Sequence, residues 1–136
     1  MWQWWAVTAM ACFAVMQLLF AALVRRGIDV AAVLLYVFGI GALLYLLHVR
    51  VTRAAVPYRP REVAMLAAAA VLSYVGNWLL VRAVATAPNP GYPVAISGLQ
   101  AALVTVVSIG VLGASLSWTK AIGVLLCAAG VALLVR

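Results

Sequence analysis

The sequence is poor in charge and poorest in acid. Of 136 residues only 8% are charged, with two Asp and Glu together, one His and two Cys, whereas a soluble domain carries about 25% charged residues. A chain this short cannot hide the 69% of its residues that are hydrophobic, because small domains leave a large share of their surface outside. A water-soluble fold is therefore excluded, and the missing exterior is lipid. The scarcity of acid has a second consequence. Asp29 and Glu62 both flank apolar runs, so no carboxylate falls near the bilayer midplane, where proton-coupled exporters usually need one. His48 stands at the end of a run, where an interfacial hydrogen bond suits it better than a proton relay. There is no nucleotide-binding glycine loop, no cluster spaced for a metal, and no Ser, His and Asp set that could meet. The expectation is a protein that is not an enzyme and holds neither metal nor cofactor. Cys12 and Cys127 lie inside apolar runs and read as small packing residues.

What is present is cationic and apolar. Nine Lys and Arg give a net charge of +7, and they fall between the apolar runs, where they meet lipid headgroups rather than nucleic acid. The runs predict an all-α, polytopic membrane protein of five transmembrane helices in a single domain, 1–136, with spans at 2–24, 30–49, 63–84, 93–112 and 118–135. At about 20 residues per span, five spans leave only connections, with no room for an appended soluble domain. The first run opens on Trp2, Trp4 and Trp5, aromatics that suit the interface; it lacks the positive leader and short apolar core of a secretory signal. Gly39 and Gly41 would allow close helix packing in the second. The stretch 50–62, with Pro57, Pro60 and four arginines, is expected to be a surface loop. Five spans put the termini on opposite sides. With the N-terminus inside, Arg50, Arg53, Arg59, Arg61 and Lys120 are cytoplasmic, and Arg25, Arg26, Arg82 and Arg136 are outside. That difference of one charge gives an N-inside lean and leaves dual insertion open.

Polar residues inside spans point to a site, since burying them in hydrocarbon is costly without a partner or a wet cavity. Ser73 and Asn77 share a face of the third helix, with Tyr74 and Trp78 beside them. On the fourth, Ser97, Gln100, Thr105 and Ser108 fall within an arc of about 140°. These eight residues are the candidates for lining a substrate cavity; the same groups would serve as helix–helix glue. Arg82 is suited either to snorkelling toward headgroups or to a cavity mouth. Pro88, Asn89, Pro90, Gly91, Tyr92 and Pro93 must stop the third helix. Gly91 is free to take a positive φ, and the segment is expected to cap one end of the cavity as a gate. Gly123, Cys127 and Gly130 form a small-residue stripe on the last helix, open to another helix of the chain or of a dimer.

From residue 77 to residue 135 the order of signals resembles the EamA-like half of the drug/metabolite transporter superfamily. A polar third helix leads through Ala83-Val84-Ala85-Thr86-Ala87-Pro88-Asn89-Pro90 to a helix with Ser97 and Leu99. Val111-Leu112-Gly113, Leu116-Ser117, Gly123-Val124 and Gly130-Val131-Ala132-Leu133-Leu134 follow. Ala114-Ser115 replace the charged pair that the family often carries before its Leu-Ser. Familiar members hold ten helices as two inverted five-helix halves, so the resemblance implies one half of an inverted-repeat transporter, with its site at the repeat interface. Small multidrug exporters are similar in style, but their first-helix glutamate has no counterpart in 2–24. The expected function is a secondary transporter or facilitator of small organic metabolites. Its partners would be the lipid bilayer, a small organic solute and a second five-helix half, either an antiparallel homodimer or a paired homologue. The expected location is integral and multi-pass in a bacterial-type cytoplasmic (inner) membrane. The competing readings are a non-transporting subunit of another membrane complex and a flippase for lipid-linked sugars.

Overall fold

The helices begin and end where backbone chemistry requires it. The computed structural model describes residues 2–55, 59–113, 115 and 117–134; Pro57, Ala114, Leu116, Val135 and Arg136, singled out above, lie outside the described residues. Helix α1 is Trp2–Arg25, α2 is Val30–Thr52, α3 is Pro60–Thr86, α4 is Gly91–Ser97, α5 is Gln100–Leu112 and α6 is Trp118–Leu134. No strand occurs among the described residues. Four segments, Trp2–Arg25, Val30–Thr52, Pro60–Thr86 and Gly91–Val111, are long and apolar enough to cross a membrane, and Ala121–Leu134 is a shorter apolar helix. The chain is an all-α, multi-pass integral membrane protein.

Helix α1 closes on Gly27, whose φ of 89° is the left-handed state that glycine adopts without steric cost. The Gly27 and Ile28 N–H groups donate to the carbonyls of Val24 and Leu23 at 2.9 and 3.3 Å, a Schellman closure. Asp29 then caps α2: its Oδ1 accepts from the Ala31 N–H at 2.7 Å, an arrangement worth about 1 kcal/mol. The stretch 50–62 is less of a loop than its prolines suggest. Helix α2 continues through Thr52, whose hydroxyl donates to the His48 carbonyl at 2.7 Å. Arg53 ends it in the left-handed region, with φ 52°. Pro60 opens α3, because the first helical position has no use for the N–H that proline lacks. Glu62 lies in the first turn of α3, 4.0 Å from Arg59 on the exposed surface, a pairing that contributes little. Both acids of the chain thus serve helix starts.

The chain divides into two compact units, Met1–Thr86 and Ala87–Arg136. In the first, α1, α2 and α3 pack pairwise. The Arg25 Nε donates to the Ala85 carbonyl at 3.3 Å, so the C-terminal ends of α1 and α3 meet and these two helices run parallel, with α2 antiparallel between them in sequence. The core is Phe20, Val33, Leu34 and Val81, flanked by Met16, Leu23, Val24, Val30 and Trp78. It draws on the last turns of α1 and α3 and the first turns of α2. The opposite half of α1 stays exposed, Trp2, Trp4 and Trp5 included. Gly39 and Gly41 would each receive a Cβ without meeting any atom within 4 Å, so among the described residues of this unit the close packing expected of them is not used.

In the second unit α6 packs on α4 and on α5. The expected fourth span is interrupted. Around Gly98 and Leu99 the pattern tightens: the N–H groups of Gly98, Leu99, Ala101 and Ala102 reach the third residue back, at 3.1, 3.0, 3.0 and 3.0 Å. This is a 3₁₀ turn in the middle of an apolar segment, a geometry that often marks a hinge. A Cβ on Gly98 would lie 3.0 Å from the Ala95 carbonyl oxygen, so a side chain there asks the turn to give by a few tenths of an ångström.

Candidate functional site

Asn77 sits on α3 nine residues before its end, which at about 1.5 Å per residue is deep in the hydrocarbon. Its amide is answered within its own helix: Nδ2 donates to the Ser73 carbonyl at 2.8 Å and lies 3.3 Å from the Ser73 hydroxyl. The amide oxygen and the remaining Ser73 hydroxyl lone pair keep acceptor capacity. Ser73 and Tyr74 also line a groove of about 590 Å³ between α3 and α2, whose other walls include Ala31, Leu34, Phe38 and Ala70. One turn beyond Asn77, the Arg82 guanidinium stands over the Trp78 ring, 4.7 Å from its centroid. Arg82 therefore folds back toward the interior of the span instead of reaching out along the axis to headgroups. A contact of this kind at an exposed site is worth about 0.5–1 kcal/mol. Ser73 with Asn77 and Trp78 with Arg82 form two i, i+4 pairs on different faces of α3, half-buried at Asn77 and Trp78 and exposed at Ser73 and Arg82.

The three candidate hydroxyls of the second unit behave alike. Ser97 donates to Val94 O at 2.8 Å, Thr105 to Ala101 O at 2.7 Å and Ser108 to Thr105 O at 2.9 Å. Each donor is spent on its own helix, which removes the need for an interhelical partner and leaves acceptor lone pairs on the surface. Gln100, at the first position of α5, is exposed. In the proline-rich segment the Asn89 side chain does the ordering: its Oδ1 accepts from the Gly91 N–H at 2.9 Å, and the Tyr92 N–H reaches the Asn89 carbonyl at 3.1 Å. Among the described residues positive φ occurs at Gly27, Gly113 and Arg53. Gly91 is therefore not the left-handed residue its setting suggests. What favours glycine there is space, since a Cβ would approach Asn89 Oδ1 to 3.2 Å. Pro90 precedes α4 and Pro93 lies in its first turn, where proline is tolerated. Cys127 and Gly130 line a groove of about 460 Å³ with Ala95, Gly98 and Leu99. Gly123 and Gly130 would each accept a Cβ into open space.

One further polar residue inside a span lies outside the set predicted from sequence. Gln17 on α1 is only 8% exposed, and its Oε1 is buried with no hydrogen-bond partner. An unanswered buried amide costs about 1–3 kcal/mol. The reasoning that selects Asn77 selects Gln17 when applied to the first span, where it is the lone amide amid apolar residues 9–24. No grouping of three or more His, Cys, Asp or Glu suited to a metal occurs among the described residues.

No curated protein and no solved structure matches the chain. Residues 1–136 match the EamA-like transporter family. The match takes in the first two helices, which sequence order alone likened to the family only in being apolar. This multi-pass protein, with amide and hydroxyl groups carried inside its spans, belongs to the EamA-like transporter family.

Proposed function

We propose that the chain is one five-helix half of a paired secondary transporter or facilitator for small organic metabolites. It works as an antiparallel homodimer or beside a homologous half, in a bacterial-type cytoplasmic membrane. The observation that carries this reading is the combination of a transporter-family match over residues 1–136 with membrane-facing surfaces that one copy leaves uncovered, including the open faces at Gly123 and Gly130. An odd number of spans inverts a second copy joined in tandem, and transport sites commonly lie at the interface of such inverted halves. The polar groups of α3 at Ser73, Asn77, Trp78 and Arg82 are the part of the first unit suited to contact solute, Ser73 and Asn77 through oxygens that retain acceptor capacity, Trp78 and Arg82 through N–H donors. The hydroxyls and Gln100 of the second unit are the corresponding candidates there, and the Pro88–Tyr92 segment is the candidate gate.

The test is orientation and uptake on one preparation. A cysteine placed at Gln3, in a chain with Cys12 and Cys127 replaced by alanine, is labelled in intact cells with an impermeant maleimide. Partial labelling that becomes complete on permeabilisation, together with solute uptake in proteoliposomes, is the expected result for an antiparallel homodimer. Labelling from one side, with no oppositely oriented homologue co-purifying and no uptake, overturns the reading in favour of a non-transporting subunit.

A further inference from the structure

Gln17 occupies the same stripe of α1 as Phe20 and Ala21, three and four residues on, and all three are buried. Phe20 shares its core cluster with Val81 of α3, and Arg25 bonds to Ala85. Stepping back one turn along each of these parallel helices, from Phe20 to Gln17 and from Val81 to Asn77 and Trp78, brings the two amides to one depth. Counting eight residues from Arg25 on α1 and from Ala85 on α3 gives the same level, about 12 Å inside that end of the bundle. Asn77 has partners in its own helix, whereas the Gln17 Oε1 has none. Buried polar groups that persist without a protein partner call for an explanation, and an unseen ligand or water is one of the few available.

We infer that Gln17 is a solute-contacting residue: its amide oxygen is the acceptor that takes an N–H or O–H donor of the transported molecule, and water when the path is empty, at the level of Asn77. The inference rests on the transport reading and extends it, because it places a hydrogen-bond acceptor on α1 and makes donor-bearing solutes the class this level selects. On this reading the oxygen is left unanswered by the protein for the same reason that a site is left unfilled. Its partner arrives with the solute.

Two measurements on the full chain test this without knowledge of the natural solute. Gln17→Leu keeps the volume and removes the unanswered amide, so the protein in detergent should melt higher, by about 3 °C. A structural amide bonded across helices would instead melt lower on this change. In proteoliposomes, with Cys12 and Cys127 replaced by alanine, Gln17→Cys should react with the trimethylammonium-ethyl methanethiosulfonate reagent about 10-fold faster than Phe20→Cys. That reaction requires a thiolate in contact with water, and Phe20→Cys opens a larger gap on the same buried stripe. A lowered melting temperature, or equal labelling rates at the two positions, overturns the inference. Neither readout depends on orientation or on a partner half, so this failure is separable from failure of the pairing reading.

Discussion

The two units draw on the same apolar composition and use it differently. The first buries side chains from three helices against one another, with Val81 and Val84 at 1% and 0% exposure. Among the described residues of the second, Val131 is the buried hydrophobic one, at 8%. The first unit also holds an amide oxygen without a partner, at Gln17, while the second satisfies Ser97, Thr105 and Ser108 within their own turns. In lipid the hydrophobic effect does not drive helices together, so association relies on packing and on polar contacts. The first unit packs a small core toward one end of its helices and carries an unmet polar group. The second has little packing, keeps its polar groups quiet, and contains a tight turn in mid-span.

The contrast is broken most severely at the core. Phe20→Ala should lower the stability of the protein in detergent by about 2 kcal/mol, the cavity part of a large-to-small change without the water-transfer part. Val131→Ala should cost about 0.5 kcal/mol, because its surroundings are already open and can relax. Thermal or denaturant unfolding of both variants checks this. Equal losses would mean that the second unit is held together as firmly as the first.

Glycine sharpens the comparison at a smaller scale. Gly76 in α3 would receive a Cβ without meeting any atom within 4 Å, so Gly76→Ala should stabilise by about 0.5–1 kcal/mol through reduced backbone freedom. Gly98→Ala brings a Cβ to 3.0 Å from the Ala95 oxygen and should destabilise by about 1 kcal/mol, while slowing uptake per inserted molecule if the 3₁₀ turn bends during transport. Opposite signs in the two variants are the expected outcome of unfolding measurements. Stabilisation by both would show that the turn at Gly98 relaxes into regular helix at no cost.

Much of this was legible in the sequence because lipid imposes simple demands. Charge-free runs such as 2–24 had to be helices, and the breakers at 88–93 had to end α3. The helix termini were harder to read. Pro60 and Arg50 looked like loop chemistry, yet a proline fits the first helical turn and an arginine fits the last, so the helices run further than composition suggests. The turn at Gly98 was hidden because glycine in an apolar span reads equally as a packing contact. Gln17 is hard to read from sequence because a single amide in an apolar run gives a clear signal only once its burial is known. The direction of Arg82, back over Trp78, follows from side-chain geometry that spacing permits but does not choose.

The smallest expected change in stability, and the one that bears most on function, is at Asn77. Its Nδ2 bonds to Ser73 of its own helix, so no interhelical bond is lost in Asn77→Leu, and the added apolar surface is at home in lipid. The stability of that variant should stay within about 0.5 kcal/mol of the parent. Thr105→Val, which removes a hydroxyl that also bonds back to its own turn, should fall in the same range. Transport separates the readings. If the polar groups of α3 contact solute, Asn77→Leu abolishes uptake in proteoliposomes at unchanged insertion and dimer yield, because the amide oxygen that retained acceptor capacity is gone. If stability, assembly and uptake decline together, Asn77 is an adhesive between helices of paired chains, and these polar groups belong to the interface instead of the path.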